Sequence, residues 1–499
     1  MDLIVVRTLT LAGVEPLAVR VECAVSHGLP GLRLVGLPDV AVRESGERVR
    51  AAIKRAGLRW PQTRVVVNLA PADVPKNGSG FDLPLALAIL AASDQLDAAV
   101  LPTMWVHGEV GLDGALRGVA GALALAVGAR RLGARRLLMP DDGSGVTRAV
   151  EGLEVWPAHD LSEALALVSG RARPRQVAPP PESVRRGRVA DLVDVRGQPV
   201  ARRAVEVAAA GGHHLLLVGP PGCGKSMLAA RLPGLLPDLS AQQSLEVATL
   251  HAVAGLVHAP DPRPPVRTPQ VGISSAALVG GGSGALRPGE ISLAHHGVLV
   301  MDELLETPRP VLDALRQPLE QGIVVVDRAR GRATFPARVQ LVATTNPCPC
   351  GLLGHPRRSC TCPPDRAQRY RSRLSGPLLD RIDVQLAMRP VPRERLTGPS
   401  DAEASHVVAR RIVAARALAQ QRQGAMLNRE VDLALLQSSA PPSSLRLLAD
   451  GLDVLGVSAR AFERCLRVAR TVADLAGEET IAEEHIAEAM ALRLPALPA

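Results

Sequence analysis

The chain has 499 residues, of which 47% are apolar, and a length of this order exceeds a single hydrophobic core, so two or three domains are expected. It has no run of about 18 uninterrupted apolar residues, no basic head before an apolar stretch, and seven cysteines; these features argue against a membrane span, a secretion signal and a secreted disulfide framework, leaving a cytoplasmic protein. The net charge of +9 suits a polyanion such as nucleic acid, but three Phe, three Trp and one Tyr cannot build a base-stacking platform, so any grip must fall on phosphates.

Residues 1–170 read as one α/β domain. Ala18–Cys23 alternates like a half-buried strand. Residues 41–57 have helical spacing with basic residues on the open face and Gly57 as a stop. Arg64–Leu69 is a second strand and Leu83–Ala92 a buried helix. Val119–Leu132 is a further helix, leading into the strand Arg136–Pro140. Residues 171–187 are rich in Pro and Arg without apolar periodicity and read as a linker.

The segment Gly219-Pro220-Pro221-Gly222-Cys223-Gly224-Lys225-Ser226 fits G-x-x-x-x-G-K-[ST]. It lies between the apolar strand His214–Val218 and the helix-forming run Met227–Leu232, the strand–loop–helix context that a phosphate-wrapping loop needs. Glycines let the backbone N–H groups turn inward, and the helix N-terminus adds positive dipole. Lys225 is expected to reach the outer phosphates of ATP or GTP and Ser226 to hold magnesium, with Met227 next to the loop. Farther on, Gly297–Met301 is an apolar strand ending in Asp302-Glu303, the Walker B pattern. Asp302 is assigned to magnesium and Glu303 to polarising the attacking water.

Cys348-Pro349-Cys350 and Cys360-Thr361-Cys362 form two close cysteine pairs nine residues apart. Four thiolates can close a tetrahedral zinc site, and a reducing compartment favours metal over two disulfides. His355 is a spare ligand.

Several segments carry resemblances. The order of elements in residues 1–170, with residues 75–84 (PKNGSGFDLP), resembles the domain fused to magnesium-chelatase-like ATPases, which is similar in fold to the Lon protease domain. Ser79 lies near the place of a Lon-like nucleophile, but residues 121–125 have no lysine where such enzymes keep one, so a base to activate it is missing. In similar ATPases the Gly197-Gln198 pair precedes a helix, here Pro199–Ala210, and lies near the adenine. Asn346, ending the strand Val339–Thr345, resembles sensor 1. Arg381, in residues 375–383 (SGPLLDRID), resembles an arginine finger that enters the neighbouring subunit's site. Arg460, after Ser458, resembles sensor 2, directed at the γ-phosphate. The glycine loop 278–284 resembles a pore-facing insert. Residues 322–335 read as a hairpin bearing Arg328, Arg330 and Arg332, and resemble one that contacts DNA in related helicases.

The chain is thus identified as resembling the ComM/YifB-type magnesium-chelatase-like AAA+ family, most specifically at residues 346–351, 370–383 and 458–475. The resemblance implies four parts: a Lon-protease-like α/β domain (1–170), the linker, a P-loop AAA+ α/β/α core (188–395) with a zinc-knuckle-like insert (347–363), and a C-terminal helical lid (396–499). It also implies a hexameric ATPase that moves along DNA and migrates branches in recombination and natural transformation. One departure stands out: Pro269-Gln270-Val271 replaces the family's usual Pro-His-His. The rival readings are a chelatase-type remodeller of a protein or porphyrin partner and a Lon-like peptidase.

Overall fold

The computed structural model describes residues 3–74, 76, 78–97, 99–177, 190–282, 286–328, 331–397, 402–455 and 459–493. The N-terminal part is built on a seven-stranded mixed sheet in the order Gly31–Val35, Arg64–Ala70, Glu15–Ser26, Ile4–Ala12, Trp105–Val106, Arg136–Pro140, Glu154–Ala158. Its central ribbon pairs Ile4–Ala12 antiparallel to Glu15–Ser26, closed by Ala12↔Glu15 across Gly13. Gly13 has φ +68°, a left-handed turn position that glycine fills without a Cβ penalty. The first strand escapes the sequence reading, although its Ile4, Val5, Val6, Thr8 and Thr10 are β-branched residues of high strand preference.

The helix Val40–Arg55 starts where the Asp39 side chain accepts from the Val42 N–H at 2.8 Å, an N-cap. It stops at Gly57, φ +77°. The next helix, Asp82–Ala92, is buried on all sides from Asp82 to Ala91, as its unbroken apolar composition requires. Its one charge, Asp82, is met by Arg48 in two hydrogen bonds of 2.7 and 3.0 Å and by the Val110 N–H at 3.3 Å. Removing one partner of such a buried pair typically costs about 3–5 kcal/mol.

The second part holds a five-stranded parallel sheet in the order Val266–Arg267, Val298–Met301, Gln340–Thr345, Leu215–Val218, Val384–Ala387. The three central strands are buried throughout, the pattern of a parallel sheet covered on both faces. Because Gln340–Thr345 lies between the other two, residues following it sit beside both the glycine loop and the acidic strand end. The helix after the loop differs from the Met227–Leu232 expectation. It runs Lys225–Ala229, directly from Gly224, and gives way to a tight turn at Leu232–Leu235, because Pro233 has no N–H to continue it.

Helices Ser405–Gln423, Leu433–Ser438, Pro442–Leu455, Ala459–Ala476 and Glu483–Ala491 follow. Val408, Ile412, Leu466, Val472 and Ile486 from them share one core with Leu215, Leu217 and Val384 of the parallel sheet. The N-terminal part packs on the same body. Ala248 and Ala252 of the helix Ala241–Val253 join the cluster of Leu9, Leu123 and Ala126, and Gly13 lies against Ala333 and Phe335. Residues 171–177 form no helix or strand, and the rest of the expected linker lies outside the described residues.

Candidate nucleotide-binding site

The parallel strands bring the loop, the acidic pair and Asn346 together at their carboxyl ends. Gly222 and Gly224 take φ +79° and +93°, so the loop folds back on itself as only glycine does without strain. Gly219 packs so close to the Met388 carbonyl that a Cβ would sit 2.7 Å from it. Lys225 Nζ donates to the carbonyls of Gly219 (2.7 Å) and Pro220 (3.0 Å) and to Asn346 Oδ1 (3.1 Å). Burial pushes its ammonium below the ordinary lysine range, opposed by Cys223, Asp302 and Glu303. The Ser226 hydroxyl donates to Asp302 Oδ1 at 3.0 Å. Glu303 adopts φ +51° and is exposed beside that pair.

Gln198, also left-handed at φ +59°, ties the loop to the sheet. Its Nε2 donates to the Cys223 carbonyl (3.0 Å) and the Arg389 carbonyl (2.7 Å). Cys223 is buried, and burial raises its thiol above the usual range. Met227 is 45% exposed. Thr344 is a member that the sequence reading missed. Its hydroxyl donates to Asp302 Oδ1 and faces the Glu303 N–H at 3.4 Å. No local signal marks it, because a threonine in a strand is ordinary.

Arg381 lies apart from the loop. The Arg381 guanidinium pairs with Glu320, donates to the Pro377 carbonyl at 2.5 Å, and leaves a buried Nε without a partner among the described residues. Arg381 holds the Glu320 carboxyl below its ordinary range, and the charges of Arg460 and Arg464 add to the effect. Arg460 is exposed; Ser458 beside it lies outside the described residues.

The four cysteines converge. Sγ–Sγ distances are 3.4 Å (Cys348–Cys350), 3.6 Å (Cys348–Cys360) and 3.5 Å (Cys350–Cys360), and all four ligand atoms lie within 4.8 Å of one another. That is too long for disulfides and near the roughly 3.8 Å edge of a tetrahedron with Zn–S of about 2.3 Å. Backbone N–H groups of Leu353, Cys350 and Cys362 point at the Cys348, Cys362 and Cys360 sulfurs. The Leu352 N–H, then that of Thr361 and the neighbouring thiols, draw Cys350 down to about 5 against a burial cost. The donor set fits zinc. The nitrogen His355 Nδ1 instead accepts from the Arg357 and Arg358 N–H groups at 3.1 Å each.

Sequence profiles described as magnesium chelatase, subunit ChlI, as subunit ChlI of Mg-chelatase, and as the subunit ChlI C-terminal part match residues 191–396, 21–143 and 402–493. The chain is 42% identical to YifB of Escherichia coli K12 over 505 residues, covering 99% of this chain and 97% of that protein. It is 42% identical to Rv2897c of Mycobacterium tuberculosis H37Rv over 498 residues, 97% of each. It is 40% identical to the competence protein ComM of Haemophilus influenzae over 511 residues, 99% and 98% of the two chains. The chain belongs to the ComM/YifB-type magnesium-chelatase-like family. As a magnesium-chelatase-like AAA+ protein it is a member of the P-loop ATPases, for which ATP and magnesium are the matching nucleotide and ion.

Other parts of this family member bear on its function. The hairpin Ile323–Arg328/Gly331–Pro336 forms as expected, with Arg332 exposed; Arg330 lies outside the described residues, and of Arg328 the backbone alone is described. The glycine loop closes a short ribbon, Gly280–Gly281 against Arg287–Pro288, while residues 283–285 are outside the described set. At the replaced Pro-His-His position, the Gln270 carbonyl accepts from the Ile273 N–H in a turn. Glu246 meets His296 Nε2 at 2.9 Å and His295 Nε2 at 3.7 Å. This group is satisfied as a hydrogen-bond network, since His295 Nδ1 accepts from the Arg338 N–H at 3.0 Å and so carries its own proton on Nε2 when neutral. Glu246 and His295 line a cavity of about 650 Å³ between the Ala12–Glu15 turn and the hairpin. In the N-terminal part, the Ser79 hydroxyl donates to Glu109 and the buried Lys76 ammonium to the Pro71 carbonyl. Among the described residues no helix is long and apolar enough to cross a membrane.

Proposed function

We propose that the chain is an ATP-hydrolysing DNA motor that works as a ring, a hexamer by family resemblance, and migrates branched DNA in recombination and natural transformation. The observation that carries the ATPase half is the convergence of Lys225, Ser226, Asp302, Thr344 and Asn346 at the ends of three adjacent parallel strands. ATP with its magnesium supplies the phosphoanhydride to be cleaved. Lys225 exchanges the carbonyls of its own loop for phosphate oxygens, Ser226 and Asp302 hold the ion, and Gln198 supports the adenine side. Glu303 polarises the attacking water and Asn346 orients it. Arg381, paired with Glu320 rather than set on the loop, fits a group that serves a neighbouring copy's site, and Arg460 is read as the sensor-2 residue directed at the γ-phosphate. A zinc ion held by Cys348, Cys350, Cys360 and Cys362 plays a structural part.

The DNA half is supported by the net charge of +9, by the exposed Arg332 on its hairpin, and by the name of one relative, a competence protein. The N-terminal part, read as Lon-protease-like, serves as a contact module. Its Ser79 hydroxyl donates to Glu109, while the nearby Lys76 ammonium is spent on the Pro71 carbonyl, so the Ser–Lys pair that the peptidase reading needs has no support. The chelatase-type remodeller is kept as the second reading because the matching profiles describe a magnesium chelatase subunit.

The test is ATP hydrolysis with and without single-stranded, duplex and four-way branched DNA over a salt series. Stimulation that falls steeply with salt is expected of a phosphate-gripping motor, with branched DNA stimulating most. Hydrolysis indifferent to every DNA would replace this reading with the remodeller.

A further inference from the structure

Arg381 stands at the start of a three-residue segment whose carbonyls are all held by arginines of the C-terminal part, Arg464 on a helix and Arg493 in the turn after the last one. Arg464 Nη1 donates to the Arg381 carbonyl at 3.2 Å. Arg493 Nη1 donates to the carbonyls of Ile382 (2.7 Å) and Asp383 (3.0 Å). The same Arg464 nitrogen lies 2.6 Å from Asp383 Oδ1. The other oxygen of Asp383 accepts from the His214 N–H at 3.0 Å and faces His213 Nδ1 at 3.7 Å. Residue 214 leads directly into the strand Leu215–Val218 that ends in the glycine loop. One fully buried carboxylate therefore anchors the finger segment to the root of the chain's own nucleotide site, and Arg464 closes the connection. Arg464 is also one helical turn from Arg460 on the helix Ala459–Ala476, so both point from the same face.

We propose that Arg464 is a positioning residue for the arginine finger: it fixes the backbone under Arg381 from the C-terminal helices, so that these helices govern hydrolysis at a neighbouring copy's site. This rests on reading Arg381 as the finger. The argument is geometric. A catalytic guanidinium must be held to a fraction of an ångström, and a displacement of about 1 Å can cost about 100-fold in rate. Arg381 sits in a turn outside regular structure, so the donors on its carbonyl and on the next two set its backbone.

The experiment uses full-length chains with Arg464→Met, which keeps bulk and removes the donors. Its ATP affinity is expected to stay within about twofold while kcat falls by about 10- to 100-fold. Arg464→Lys, which keeps a donor, is expected to recover part of the loss. Mixing then separates the two readings. Lys225→Ala chains have an intact finger and no nucleotide, so mixing them with Arg381→Ala chains, and separately with Arg464→Met chains, is expected to restore hydrolysis in both cases. Recovery with Arg381→Ala but not with Arg464→Met would overturn the positioning role and leave the finger standing. Recovery with neither would remove the finger reading itself. Should Arg464→Met fail to fold because it strands the Asp383 charge, the double variant R464M/D383N removes that charge and carries the same test.

Discussion

At the residue scale, the nucleotide site is held in readiness by contacts that its ligand must replace. Lys225 spends its three donors on two loop carbonyls and Asn346, and exchanging these neutral acceptors for phosphate oxygens gives hydrogen bonds charged on both sides. Lys225→Ala is therefore expected to abolish measurable nucleotide binding in an equilibrium titration with a fluorescent ATP analogue. Glu303 is exposed and makes no part of the loop's internal bonding, so Glu303→Gln is expected to bind ATP normally and to hydrolyse it at least about 100-fold more slowly. Normal turnover by that variant would move the catalytic carboxylate elsewhere. The loop, the acidic pair and Asn346 were legible because each is a residue type fixed by its chemistry at the end of an apolar run. Thr344 was not, since a threonine in a strand is ordinary by its propensity and acquires its role only through the strand order that sets it against Asp302.

At the element scale, the cysteine insert and the glycine loop form one packed unit. Gly351 has φ +76°, and a Cβ there would lie 2.6 Å from Pro221 Cδ. Gly351→Ala combines backbone strain of about 1 kcal/mol with a push on the phosphate loop, so a weaker ATP affinity is expected, read in the same titration. Metal analysis of purified protein is expected to find about one zinc per chain, and stripping it with a chelator is expected to lower the unfolding temperature. A metal-free preparation that melts unchanged would remove zinc from the account. The two cysteine pairs were readable in the sequence by spacing alone, whereas their seat on Pro221 was not, because nothing local in C-x-C says which loop lies beneath it. Element ends showed the same division. Gly57 announces the end of its helix, whereas the Asp39 cap that starts it shows only in the structure; the helix after the loop stops early at Pro233, and the strand Ile4–Ala12 carries its signal in β-branched content with Gly13 after it.

At the scale of the whole molecule, the proposed motor needs a second copy to complete each site. Arg381→Ala is expected to assemble normally, as judged by light scattering, and to lose hydrolysis by about 1,000-fold or more, the range for removing an arginine finger. Full activity would place the finger elsewhere. The parallel core was recoverable from three motif-bearing strands, but the seven-stranded N-terminal sheet was not, because two-residue strands such as Trp105–Val106 have no periodicity to read and exist only through their neighbours.

The contact of Gly13 with Ala333 and Phe335 has a mechanical consequence. The turn at Gly13 is the tip of the ribbon Ile4–Ala12/Glu15–Ser26, whose first strand alone spans about 30 Å at roughly 3.3 Å per residue. That ribbon lies in the middle of its sheet and is stiffened by paired strands on both sides. Any displacement of the hairpin would therefore press on the end of a rod, and the thrust would be delivered to the far rim of the N-terminal sheet instead of being absorbed in a soft loop.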